Sequence, residues 1–195
     1  MAVTVDEART FLRRRNALIV HFSGCPKGVG FDTCYPDDLV QATANPHWGL
    51  ACSVVKPGDG IGNAFGFVGI IVDVTKDTSV VAVSTDDCGS QVDRGTGKRI
   101  ALDMIPTAEK CEKSLDERTK HNEWVVEDYE VMGIFVLRPP QIWSGSGLGG
   151  PTKITVGDIH ATFGKPVVTT DEQGFWRWHS GDRWCRCTHQ DVYGW

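Results

Sequence analysis

Two apolar runs, Glu123-Trp124-Val125-Val126 and Tyr129–Leu137, are separated by Glu127 and Asp128 alone. Short runs rich in Val, Ile, Phe and Trp suit strands, and two charged residues leave room only for a tight turn. The reading is strand, turn, strand, with the Glu123 carboxylate at the mouth of the first strand. Similar runs occur at Ala17–Phe22, Leu50–Val55, Phe65–Val74 and Ser79–Ser84. The last two, joined by the polar Thr75–Thr78, are expected to form a hairpin.

Helix signals are fewer. Thr4 and Glu7 form a capping box that opens a helix to Arg15. Pro36-Asp37-Asp38 opens a second helix to Ala44, with Pro and acids in its first turn. Residues 106–120 have modest helical character, and a further capping box at Thr155 and Asp158 starts a helix to Phe163. Phe175–His179 and Arg183–Thr188 read as a hairpin. Strands outnumber helices and do not alternate with them, so the expected class is α+β rather than a doubly wound parallel sheet.

The 195 residues suit one domain, 1–195. The glycine run at 145–150 reads as a flexible break, beyond which 151–195 forms a C-terminal extension with a helix and an aromatic hairpin. No apolar run approaches the ~20 residues of a membrane helix, and the N-terminus lacks a signal-peptide core. A cytoplasmic protein with reduced thiols and no membrane partner is the expectation. The net charge of −5 argues mildly against a surface that grips nucleic acid all over. Arg13-Arg14-Arg15 is expected to be a solvated face. Nothing in the sequence reports oligomeric state.

Several motifs lose to their plainer readings. Gly58, Gly60 and Gly62 lie between strands with no helix after them, so they lack the dipole of a phosphate cradle. Cys185, Cys187 and His189 would share a strand face and could bind zinc, with His179 approaching from the paired strand. Cys-x-Cys-x-His lacks the usual Cys-x-x-Cys turn, however, and the neighbouring tryptophans suit hairpin packing. No metal is expected. A thiol nucleophile is the weaker enzymatic reading, since Asp86 and Asp87 would raise the Cys88 pKa.

His21 ends a strand and is followed by Ser23-Gly24, small residues that free the backbone for close approach of a ligand. Glu123 follows Arg118, His121 and Asn122. The pair resembles the ADP-ribosyltransferases of the DarT-like and abortive-infection toxin branch, over residues 17–137. There the first motif is a strand-end His followed by Thr or Ser, and the last is a Glu leading an apolar strand. Ser84-Thr85-Asp86 is loosely like the middle element. No middle-motif tyrosine can be matched, Ser23–Tyr35 is longer than the compact turn expected, and nothing after Gly150 matches.

The resemblance implies split antiparallel β-sheets with a few peripheral helices and NAD as substrate. It implies that Glu123 stabilises an oxocarbenium-like transition state, that His21, Ser23 and Gly24 bind the nicotinamide riboside, and that Arg118 meets a phosphate or the acceptor. The implied activity is mono-ADP-ribosyl transfer by a toxin or antiviral-defence effector to a nucleic acid such as DNA, or to a protein. Two alternatives remain open: an NAD glycohydrolase without a macromolecular acceptor, and a non-catalytic interaction domain using the aromatic C-terminal hairpin.

Overall fold

In a computed structural model, the protein is described over residues 1–22, 43–44, 49–59, 68–85, 105–116, 122–136, 142–147, 150–171, 173–180 and 183–195. The proposed helix from Pro36 lies outside these residues except at Thr43 and Ala44, which are helical.

Helix α1 (Val5–Arg15) starts as expected, with reciprocal hydrogen bonds between Thr4 and Glu7. It buries Ala8, Phe11 and Leu12. Strands β1 (Leu18–Phe22), β2 (Leu50–Val55), β3 (Val68–Val74) and β4 (Val80–Ser84) follow. Helix α2 (Ala108–Asp116) precedes β5 (Glu123–Val126) and β6 (Tyr129–Val136). Then come β7 (Ile142–Gly147), β8 (Gly150–Ile154), α3 (Val156–Phe163), β9 (Val167–Thr170), β10 (Trp176–Ser180), β11 (Arg183–Arg186) and α4 (His189–Tyr193). The class is α+β. One nine-stranded sheet runs β11-β10-β9-β6-β3-β1-β2-β5-β4, antiparallel except for the β6–β9 pair.

This order overturns both central hairpins expected from sequence. β3 pairs with β1 and β6, whereas β4 pairs with β5 at the far edge. β5 pairs with β2 and β4, and β6 with β3 and β9. The reason is burial. Every residue of β3 is buried, so the strand needs cover on both faces and neighbours on both edges, which a polar-turn hairpin would not supply. Of the glycine run, residues 145–147 and 150 lie in β7 and β8, which pair as a separate two-stranded sheet.

The short link between β5 and β6 constrains the shape further. Val126 and Tyr129 are three residues apart in sequence, a reach of at most ~11 Å. In the sheet, β5 and β6 are four strand spacings apart, ~19 Å if flat. The sheet must therefore bend, bringing β2-β5-β4 over β1-β3-β6. Between them lies the larger core, which takes Cys52, Val54, Trp124 and Val126 from one half and Ile19, Ile70, Val72 and Ile134 from the other. The two links that cross between the halves clasp each other. Glu127 N–H donates to the Ser79 carbonyl (2.8 Å), and the Ser79 and Thr75 hydroxyls both donate to the Asp128 carbonyl.

The opposite face of β1-β3-β6 carries a second core of Leu18, Val20, Ile71, Phe135, Trp176 and Tyr193. The C-terminal hairpin thus has no mini-core of its own. β9 extends the main sheet, and Trp176 packs edge-on against Phe135, its indole N–H donating to the Asn16 carbonyl (2.7 Å). The arginine run lies at the surface as expected, with Arg13 and Arg14 exposed and Arg15 half-buried. Arg14 and Arg15 pair with Glu112 and Asp116 of α2, and Arg13 lies over the Trp195 ring.

Candidate active site at the β1–β2 opening

β1 hydrogen-bonds β2 only through Leu18, Ile19 and Val20, which face Val55, Val54 and Ser53. From His21 onward β1 stays paired with β3, while Leu50, Ala51 and Cys52 of β2 stay paired with β5. The sheet opens at that level. His21 borders the opening from one side, and its Nδ1 lies 2.8 Å from the Ala51 carbonyl oxygen. A carbonyl can only accept, so Nδ1 carries the proton. In the neutral ring this leaves Nε2 as an acceptor for a ligand hydroxyl. Gly69 lets β3 approach closely here, since a Cβ on it would stand 2.6 Å from the His21 carbonyl oxygen.

Glu123 begins β5, buried at 8% exposure, with Ser84 of β4 as its ladder partner. The structure thus brings Ser84, the loose middle-motif match, beside Glu123. The residues flanking Glu123 are anchored. Before it, Asn122 is 1% exposed, and its side-chain amide takes both the N–H (2.7 Å) and the carbonyl (2.8 Å) of Val54. Ser53 Oγ donates to the Asn122 carbonyl (3.3 Å). After it, Trp124 is fully buried, stacks on Phe11 and donates its indole N–H to Ser114 Oγ (2.9 Å).

Only β2 lies between β1 and β5, so His21 and Glu123 are separated by two strand spacings, ~10 Å between backbones. Alternation from the paired levels puts Glu123 on the face of Val20 and Ser53, and His21 on that of Cys52 and Trp124. The two side chains therefore leave opposite faces of the sheet with β2 between them. Ser23, Gly24 and Arg118 lie outside the described residues.

The Cys52 thiol, one strand away, is pushed well above its usual value, first by burial and then by the Glu123 charge. Burial likewise raises Cys111 and Cys187 to about 12, so none of the three is an activated nucleophile. Among the described residues no group of three metal-binding side chains is found. The zinc alternative also loses its geometry. β11 ends at Arg186, and a Thr188–Asp191 capping box turns His189 into α4, so the three candidates share no strand face.

A groove of about 350 Å³ lies elsewhere, between α1 and α2, with Val3, Phe11, Ala108 and Cys111 among its walls and Asp6, Glu7 and Glu112 at its rim. It holds neither candidate residue, and the Cys111 thiol in its wall is protonated at neutral pH.

Sequence reasoning singled out His21 and Glu123, named Asn122 without giving it a role, and passed over Ser53. The available signal for Ser53 was one hydroxyl within the otherwise apolar LACSVV. No known protein family, curated protein or solved structure matches the chain.

Proposed function

We propose that the protein is an NAD-dependent mono-ADP-ribosyltransferase with the split-sheet architecture of that family, acting as a toxin or defence effector on a nucleic acid or a protein. What supports this reading is that the strand-end His21 and the strand-start Glu123 sit on the strands that flank β2, within one residue level of where β1 and β2 part.

Cleavage of the nicotinamide–ribose bond passes through an oxocarbenium-like state, as in glycoside hydrolysis. The C1′–N bond breaks and its electron pair leaves on neutral nicotinamide. An acceptor oxygen or nitrogen bonds to C1′, and its proton passes to the Glu123 carboxylate or to water. A fixed carboxylate near C1′ gains most as positive charge develops on the sugar. Backbone anchoring through Asn122 and Trp124 holds Glu123 for that role at little reorganisation cost. His21 Nε2 accepts a hydrogen bond from a ribose hydroxyl. Ser23 and Gly24 hold the nicotinamide amide, and Arg118 meets a phosphate or the acceptor.

The test follows nicotinamide release and transfer of label from NAD to macromolecules. Glu123→Gln is expected to lower turnover by about 10²–10⁴-fold, the range for loss of a positioned acid–base group, without loss of fold. Full activity in that variant would remove Glu123 from the site. Absence of both NAD turnover and NAD binding in the wild type would end the reading. Free ADP-ribose with no labelled acceptor would select the glycohydrolase alternative. Of the aromatics on which the interaction-domain alternative rests, Trp176 is 1% exposed and committed to the protein's own core, while Phe175 is 42% exposed.

A further inference from the structure

We infer that Asn122 is a positioning residue for Glu123, an inference that rests on the functional reading above. Val54 is fully buried, and its N–H and carbonyl both point toward β5 at a level where that strand has not yet begun. A strand residue would satisfy both groups with its own backbone. Here the Asn122 amide does so, donating through Nδ2 and accepting through Oδ1. The β2–β5 ladder is thereby extended past its last backbone pair, Cys52–Trp124, to the residue before Glu123. Ser53 adds a hydrogen bond to the Asn122 carbonyl. The Glu123 backbone is held from both sides, so the direction of its carboxylate depends on Asn122 keeping one donor and one acceptor on Val54.

Asparagine is the side chain this needs. Alanine offers neither group and leaves the Val54 N–H and carbonyl buried without partners. An ionised aspartate accepts but cannot donate, and its charge lies beside Glu123. A protonated aspartic acid again has one donor and one acceptor. That makes Asn122→Asp a variant whose defect should disappear on acidification.

The experiment compares wild type, Asn122→Ala, Asn122→Asp and the milder Ser53→Ala. The readouts are NAD turnover across pH and carbon-13 detection of the Glu123 carboxyl titration. Asn122→Ala is expected to lower kcat by up to ~10²-fold, the cost of a misplaced catalytic group, with KM for NAD nearly unchanged. Asn122→Asp should be impaired at neutral pH and recover relative to wild type as pH falls. Ser53→Ala should lie between Asn122→Ala and wild type. In Asn122→Ala the Glu123 titration should shift while the remaining amides stay protected.

The inference is overturned if Asn122→Ala or Asn122→Asp keeps wild-type kcat with an unchanged Glu123 titration, or if Asn122→Asp fails to recover at low pH. Should the wild type turn over no NAD, the functional reading fails. The carboxyl titration still decides whether Asn122 sets the surroundings of Glu123. Should Asn122→Ala not fold, Asn122→Asp against Ser53→Ala carries the same comparison.

Discussion

Trp124 and Ser114 form a two-residue chain beneath the candidate site. The indole N–H donates to Ser114 Oγ, and that hydroxyl donates to the Cys111 carbonyl (2.7 Å). Ser114 is fully buried, so Ser114→Ala leaves the indole N–H without an acceptor in an apolar core. The expected cost is about 1–3 kcal/mol, the penalty for an orphaned buried polar group, measurable by urea unfolding. The double variant Ser114→Ala with Trp124→Phe should cost less than the sum of the singles, because the donor is removed with its acceptor. At this scale the sequence was partly legible. Glu123 and His21 stood out because a charged or titratable group at the end of an apolar run is conspicuous. Asn122 did not, since an asparagine before a strand looks like any turn residue. Its role depends on Val54, which is 68 positions away.

Strands β1 to β6 and the β10–β11 hairpin were legible from their short apolar runs, β7, β8 and β9 were not, and the capping boxes at Thr4 and Thr155 located two helix starts. Partners were not legible. Glu127-Asp128 is the right length for a hairpin turn, and only the burial of β3 on both faces, with the rival pairings of β4 and β5, shows that it spans the two halves of the sheet. Asp128 takes a positive φ of 48° there, one of two non-glycine residues described with such a backbone. Ser79 holds this crossing. Its hydroxyl accepts the Lys76 N–H (3.0 Å) and the Thr75 N–H (3.3 Å) and donates to the Asp128 carbonyl. Ser79 is 0% exposed, whereas Thr75 and Lys76 are exposed, so Ser79→Ala removes three part-buried bonds. A loss of about 1 kcal/mol is expected, the net worth of a typical hydrogen bond where water can take over the freed groups, read as a lowered melting temperature. Hydrogen exchange should quicken first at Glu127, whose N–H rests on the Ser79 carbonyl.

For the whole molecule, α4 and the residues after it tie the chain back to its beginning. His189 is 2% exposed and packs against the Tyr193 and Trp195 rings. Its backbone N–H donates to Asn16 Oδ1, and Arg9 and Arg13 lie over Trp195. Burial, reinforced by the Arg13 charge, lowers the His189 pKa to about 4. The unfolded chain therefore takes up this proton first as pH falls. Stability is unaffected above the ordinary value near 6.5 and is lost between there and about 4, by up to ~3 kcal/mol. Asp73 opposes this. It accepts from Arg9 and Trp195, but burial raises its pKa on balance, so its contribution weakens as pH rises above the ordinary carboxyl value. His189→Gln should remove the acid-side loss and leave the Asp73 slope, as measured by denaturant unfolding from pH 7 to pH 4.

None of this C-terminal clasp was legible as such. His189 read as the end of a strand, whereas Thr188 caps a helix, and a capping box this close to a hairpin is overshadowed by the alternation before it. Tyr193 has a further consequence. Its hydroxyl accepts the Ile19 N–H (2.8 Å) and donates to the Val72 carbonyl (3.1 Å), inserting itself between β1 and β3 in the middle of the sheet. Those strands leave the ribosome long before residue 193 is made. Until that residue has been made, the centre of the sheet lacks this linking group.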